Sequence, residues 1–428
     1  MDQSLDFSGA KGQTYAANPF EKNELYKKYY LKIDPSEFDL THTRPADKAC
    51  EEKVNALSKE LRIRFDLVIY NGIAFPPTNQ NISVIHSKSA TAHEMDLLKC
   101  NDEQDKLAEF ASSNFRDGII ISSSKDKAET INIFVMNDSN AFPNPIAIDV
   151  VRDSALTINE FYYSELKESA ISTTTHKISI GGYGKLEMNA IHMESAKSVV
   201  MGLAKADVGP SASLNLNTIY IGSGMIRNRS ELIAKDTGAD ISSKEAILGK
   251  EGQRFDVLTY INNSAQKTNC NSETHAVLMD KSIAYVKGFA KIIKGAGGSK
   301  SFVKERGIIY GKDAVINLIP DMSIDEGDVK ATHSSAVAPI DQESIFYMCS
   351  RGIEEKKSKY LIANGFLNEI IGHIKDNPFK VFSASLIDRV LQTKEIGIPK
   401  NLNVGGVWMD YGSVDSSTEF RGAYKFNR

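Results

Sequence analysis

Cysteine is scarce in this chain. There are four in 428 residues, Cys50, Cys100, Cys270 and Cys349, far apart and with no C-x-x-C pair. That spacing excludes a disulfide framework and a linear zinc site, so any metal needs ligands gathered by the fold or supplied by another chain. Long apolar runs are missing too: none approaches the roughly 20 residues that span a bilayer. The opening segment, MDQSLDFSGAKGQ, lacks the charged-then-apolar layout of a secretion signal, so a cytoplasmic location without membrane contact is the expectation. Positive charge is not in excess either. With 51 Lys and Arg against 55 Asp and Glu, net charge is −4, which gives no global field for nucleic acid.

What is present is the composition of a globular protein, 41% hydrophobic and 25% charged, with material for two or three domains. Residues 1–117 read as a helical and mixed domain. Pro19–Tyr30 is charged and aromatic at helical spacing, and Ala49–Leu61 carries Val54, Leu57 and Leu61 on one face. A short strand, Phe65–Tyr70, closes at the turn dipeptide Asn71-Gly72. Another amphipathic helix is predicted over Ala92–Asn114.

From residue 118 to 340 short strand-like runs recur, among them Ile119–Ile121, Ile131–Val135, Ala155–Phe161, Lys185–Ala190, Val257–Ile261 and Ile283–Val286. Gly, Asn, Asp and Ser turns separate them. Long helical patterns are nearly absent, which argues against a doubly wound α/β sheet. One strand per about 10–12 residues fits a sandwich, a barrel or a β-helix. No strict internal repeat is visible, which weakens a simple solenoid and leaves an irregular one open. A β-helix also needs its ends covered, and helical segments at both termini would do this.

Helices return in residues 341–428. Asp341 is placed to cap a helix carrying Ile345, Phe346 and Cys349, with Gly352 as its left-handed stop. A longer helix is predicted over Glu354–Lys375, broken by Asn377-Pro378, and a third over Ala384–Gln392. The tail from Gly397 is Gly- and Ser-rich and reads as irregular.

Several residues invite chemistry and read more simply. Gly295-Ala296-Gly297-Gly298-Ser299-Lys300 lacks the spacing of G-x-x-x-x-G-K-[ST] and precedes no helical pattern, so it reads as a turn and no ATP site is expected here. Cys270 and His275 are close enough in sequence to be neighbours on adjacent turns, but two ligands are an incomplete set. Cys349 reads as a small hydrophobe beside an apolar helix face. Acidic residues are scattered and aromatics are sparse on the strands, which argues against a β-helical carbohydrate-active enzyme with paired carboxylates.

One block carries more. Val277 to Gly288 reads VLMDKSIAYVKG and is followed by Gly295-Ala296; Asp328 to His333 reads DVKATH; Asp341 to Ile353 reads DQESIFYMCSRGI; Ala363 to Glu369 reads ANGFLNE. In this order, over His275 to Glu369, these pieces resemble the core of the SufB/SufD family of iron–sulfur cluster assembly proteins. SufB-type subunits usually have a cysteine two positions before the motif histidine. Here that position is Ala331, while His333 matches the histidine of SufD-type subunits, so the resemblance is to the SufD-like branch, with a divergent SufB-like core scaffold subunit as alternative. Two positions depart from the family pattern: Val303 stands where a glutamine is common, and Ser323 where an acidic residue is common.

The resemblance implies a mainly β fold, a right-handed parallel β-helix core flanked by an N-terminal α/β domain and a C-terminal helical domain. It implies a non-catalytic scaffold subunit that pairs with a SufB-like subunit through β-helix edges and docks a SufC-type ABC ATPase through about residues 341–394. Phe346, Tyr347, Arg351, Gly352 and Phe366 are the candidate docking residues, whose plain alternative is helix packing and a glycine cap. His333 is the candidate metal ligand at the cluster-assembly interface, since imidazole can replace cysteine in iron–sulfur centres. Its plain alternative is a histidine hydrogen-bonded where the β-helix meets the helices. The cluster would be transient and shared with the partner, and a homodimer of the isolated chain stays open.

Overall fold

The structure is a computed structural model and describes residues 38–44, 48–61, 63–78, 83–99 and 106–393. The helix expected over Pro19–Tyr30 and the tail from Gly397 lie outside these residues.

The β-rich segment winds as a parallel β-helix of two facing sheets. One sheet takes β5 (Ala128–Asn137), β7 (Ala155–Ser164), β9 (Lys185–Met193), β11 (Ser213–Tyr220), β13 (Asp240–Gly249), β15 (Asn269–Leu278), β17 (Lys300–Ile309) and β20 (Lys330–Pro339). The other takes β4 (Ile119–Ser122), β6 (Asn144–Val150), β8 (Ala170–Ile180), β10 (Ser198–Val208), β12 (Met225–Ala234), β14 (Arg254–Asn263) and β16 (Ile283–Ile292). It ends on two short strands, β18 (Val315–Leu318) and β19 (Asp321–Ile324), both beside β16. At the first end, β1 (Leu67–Tyr70) and an antiparallel β2 (Ile73–Ala74) edge one sheet, and an antiparallel β3 (Ser83–His86) edges the other.

Alternate residues of each strand point between the sheets. In β13, Ile241, Ser243, Glu245 and Ile247 are buried while Ser242 and Lys244 are partly exposed. In-register parallel pairing then stacks like on like: Ile131, Ile158, Met188 and Leu216 form one inward column. Outward, Asn132, Asn159, Asn189 and Asn217 form a side-chain ladder, in which the Nδ2 of each later asparagine donates to the Oδ1 of the one before it, at 2.9, 2.9 and 2.8 Å.

Seven coils, those entering β5 to β17, turn through a left-handed residue two positions before the strand of the first sheet: Asp126, Asp153, Tyr183, Ser211, Gly238, Lys267 and Gly298, all at positive φ. The corner recurs with the coil, yet five residue types fill it.

The helices cover the flanks of the barrel-like stack rather than its last end. α1 (Lys48–Leu61), α5 (Glu355–Ile371) and α6 (Asn377–Gln392) share one apolar cluster with the outward Phe134, Phe161, Ile191 and Ile219. Phe65, Phe134 and Phe161 stack along it at 4.7 and 5.6 Å, and Phe382 meets Phe161 edge-on at 5.2 Å. The single helix expected over Ala92–Asn114 is interrupted: α2 (Ala92–Leu98) ends at Lys99, whose backbone is extended, α3 (Lys106–Asn114) follows, and both pack on the second sheet. α6 begins earlier than expected: Asp376 caps it and Pro378 sits in its first turn, where a missing N–H costs nothing. α4 (Gln342–Ser350) is capped by Asp341 and stopped at Gly352, φ +86°, as expected. No helix among the described residues is long and apolar enough to cross a membrane.

Candidate functional site at the open coil

The last coil is incomplete. β20 pairs with β17 on one side only, and every residue of β20 except Ala331 is exposed. Its outer edge is a ten-residue row of backbone groups with no further strand beside it among the described residues. His333 lies in this strand, opposite Val303, whose side chain is buried inward. The imidazole is therefore on the lumen-side face of β20, with no following coil over it among the described residues. Val303 and His333, one a departure from the family pattern and the other its motif residue, are direct neighbours.

Beside β20 the lumen opens as a cleft of about 450 Å³ lined by Tyr285, Ile316, Leu318, Ile319, Ser335 and Val337. One position beyond Val303 on the same inward face is Glu305, opposite Ser335. It is 1% exposed; Oε1 accepts the Gly288 N–H at 2.6 Å and Oε2 has no hydrogen-bond partner among the described residues. Burial pushes this carboxyl up to about 8, with the Gly288 backbone hydrogen bond opposing and the Glu245 charge reinforcing. Nothing in the sequence marks Glu305, since the apolar run that reads as a strand is at the end of β17, Ile308-Ile309; the alternation through Ser301 and Val303 places Glu305 inward.

The candidate docking residues divide between two places. Phe346 and Tyr347 stand out on α4, 76% and 61% exposed, with the Arg351 guanidinium over the Tyr347 ring at 5.4 Å. Gly352 follows in open space. Phe366 is elsewhere: it is half-buried on α5, its ring stacked on His275 at 4.4 Å, so it belongs to the joint between α5 and the β-helix. Cys349 is exposed on α4, not the buried hydrophobe expected, because α4 packs mainly against α5 and leaves that face free. Cys270 and His275 point to opposite sides of β15. Cys270 is in the inward core, where burial pushes its thiol far up, while His275 faces α5.

That joint holds a charge network. Continuing the asparagine column, Lys244, Glu273 and Lys304 stand side by side, with both lysines 2.6 Å from Glu273. His275 Nδ1 donates to the Phe366 carbonyl at 2.8 Å and Nε2 meets Glu273 at 3.1 Å. Glu369 of α5 reaches Lys304 at 3.6 Å and Arg306 at 3.4 Å. Ligand-type atoms of Glu273, His275 and Glu369 lie within 4.8 Å of one another. The lysines already neutralise Glu273, so this trio reads as a structural joint rather than a metal centre. Burial alone would raise the Glu273 carboxyl, but hydrogen bonds from His275, Lys244 and Lys304 hold it well below the usual carboxylate range.

The family profile described as "SUF system FeS cluster assembly, SufBD core domain" matches residues 134–366, more than half of the chain. The chain belongs to the SufB/SufD family. Among its relatives, the iron–sulfur cluster assembly protein SufD of Bacillus subtilis is 23% identical over 265 residues, covering 61% of this chain and 60% of that protein. SufD of Escherichia coli is 19% identical over 233 residues, 54% of this chain and 55% of that protein. A SufBD family protein of Pyrococcus horikoshii is 23% identical over 180 residues, 42% and 39%. The chain thus spans less than two thirds of the length of the curated relatives it matches. It is SufD-like, and its parallel β-helix is the fold the resemblance implied.

Proposed function

We propose that this SufD-like chain is a non-catalytic scaffold subunit for iron–sulfur cluster assembly, and that the open last coil is where it meets a SufB-like subunit. The observation that carries this is β20: a terminal strand, exposed on both faces, with His333 on its lumen side. An uncovered parallel edge is a template for strand addition by a second β-helical chain. A coil added beyond β20 would bring its own side chains against His333, which supplies one imidazole while the partner supplies the thiolates that Ala331 does not. The cluster is then cargo held transiently between two chains. The open coil also leaves room for a second copy of this chain when no other partner is present.

The exposed Phe346, Tyr347 and Arg351 of α4 are the proposed contact for a SufC-type ATPase, which hydrolyses the ATP. Exposed aromatics beside an arginine are the composition of an interface centre. α4 follows β20 directly in the chain, so a pull on α4 acts on the strand that carries His333. The test is copurification of the tagged chain with a SufC-type ATPase and a SufB-like subunit, repeated with His333→Ala and with Phe346→Ala/Tyr347→Ala. The expected result is a three-component complex whose cluster content falls in His333→Ala with assembly intact, and loss of the ATPase alone from the double variant. Absence of both partners from the wild-type preparation would sink the reading.

A further inference from the structure

The inward face of the first sheet carries an unexpected column. Register aligns Glu160, Ala190, Thr218, Glu245, Thr274, Glu305 and Ser335 along the lumen, with Ser230, Thr259 and Gly288 across it in the second sheet. Glu245 is 2% exposed and both its oxygens accept hydroxyls, Thr259 at 3.0 Å and Thr274 at 2.8 Å. Glu305, two coil positions on, is built differently. A niche exists for it because residue 288 has no side chain: a Cβ there would meet Val303 Cγ1 at 2.5 Å and Glu305 Oε1 at 2.9 Å. The ladder beside Gly288 breaks at the same level, between β18 and β19 at Ile319-Pro320.

Three oxygens on this inward face, Glu305 Oε2, Ser243 Oγ and Ser301 Oγ, have no protein partner among the described residues. Buried oxygens of this kind are met by water or carry a proton, since leaving them bare forfeits the hydration they had in the unfolded chain. An ionised, unpaired carboxylate in such a place is costlier still, and no cation among the described residues faces Glu305. The titratable groups near it are Glu245 two strands away in its own column and His333 on β20, opposite Val303; Thr274, Gly288, Ile319 and Ser335 carry none.

We propose that Glu305 is a proton-binding site of the open coil, loaded at neutral pH and exchanging its proton with solvent through the cleft beside Ser335 and Ile319. The site takes a proton with bound water, not a metal ion. Its place is one strand beneath the edge where a partner chain is proposed to dock, and in that respect it rests on the reading above. Covering the cleft removes the last solvent from the acid, so docking holds the proton more tightly and proceeds less favourably at high pH.

The sign follows from the two states. In the unfolded chain the carboxyl loses its proton near 4.5, in the fold near 8. Between these values the folded chain binds the extra proton, so stability falls with rising pH across that window and levels above it. The isolated full-length chain gives the direct test: infrared spectra at neutral pH against alkaline pH, with chemical unfolding across the same range. Expected are a protonated-carboxyl band that disappears in Glu305→Gln, and a falling stability that becomes flat in that variant. Glu245→Gln is expected to move the band's midpoint to lower pH, because it removes a like charge. No such band in the wild type, or a band and a slope that survive in Glu305→Gln, overturns the proposal. The docking link is read separately, as an association with the partner that weakens at least several-fold from neutral to alkaline pH and loses that dependence in Glu305→Gln. Association with unchanged pH dependence in that variant overturns the link, whereas no association at all strikes the docking reading and leaves the spectroscopic result standing.

Discussion

Glu273 is the residue on which the α5 joint turns. Two lysines, from β13 and β17, and His275 of its own strand converge on one carboxylate, and through Lys304 and His275 it is tied to Glu369 and the Phe366 carbonyl. Removing a largely buried anion leaves its cations facing one another, which costs far more than the pair itself contributes. Glu273→Gln is therefore expected to destabilise the chain by about 3 kcal/mol, read as a lowered denaturation midpoint at neutral pH. The pH dependence has a definite sign. The carboxyl is held below its unfolded value of 4.5, so its contribution is complete above that pH and is lost only as pH falls towards the folded value. Acid unfolding between pH 5 and 3 is expected to be shallower in Glu273→Gln than in wild type, and an unchanged slope would show that the carboxylate is not held as described.

At the scale of elements, what keeps each strand in place is the column it joins. Asn189 illustrates this: it is fully buried, its Nδ2 bonds Asn159 and Glu187, and its Oδ1 accepts from Asn217. Asn189→Ala strands a donor on Asn217 and an acceptor on Asn159, so a loss of about 2–3 kcal/mol is expected, with hydrogen exchange accelerating across β7, β9 and β11 before the rest of the β-helix. Uniform acceleration over all strands would mean that the ladder does not hold register locally. Columns also explain what could be read in advance. Apolar alternation in Ile131–Val135 or Lys185–Ala190 reveals strands by itself. β10 reads SVVMGLAKADV, with Met201 and Leu203 outward against α3 but Lys205 and Asp207 outward as well, and β12 reads MIRNRSELIA, with two arginines; neither shows a clean apolar–polar alternation, because the outward side meets different surroundings along one strand. The coil repeat escaped notice for a related reason. The left-handed corner asks for a conformation, and Asp, Tyr, Ser, Lys and Gly all supply it in different coils. The candidate site was legible where the family motif ends in His333, and hidden at Glu305, whose meaning depends on a register no single strand displays.

For the whole molecule, the decisive asymmetry lies between its two ends. The first end finishes in antiparallel strands, β2 and β3, which turn the sheet edges away from further parallel pairing. The flanks are covered by α1, α5 and α6 on one sheet and α2 and α3 on the other. Only at the last end, among the described residues, does a full-length strand lie uncovered, and exposed Val315, Ile324 and Val337 surround it. A ten-residue edge with apolar neighbours draws chains together unless charge or shape prevents it. The isolated chain is therefore expected to self-associate through β20 in a concentration-dependent way. Val337 tests this cleanly: it is partly exposed, and its side chain only brushes the space above Gly307. Val337→Lys puts a charge into the edge while changing stability by no more than about 0.5–1 kcal/mol, so sedimentation should show a monomer with a near-normal melting temperature. The same variant should lose the SufB-like subunit and keep the ATPase, because α4 is untouched. If Val337→Lys still associates like wild type, the self-contact lies on another face, and the open coil is left to the heterologous partner alone.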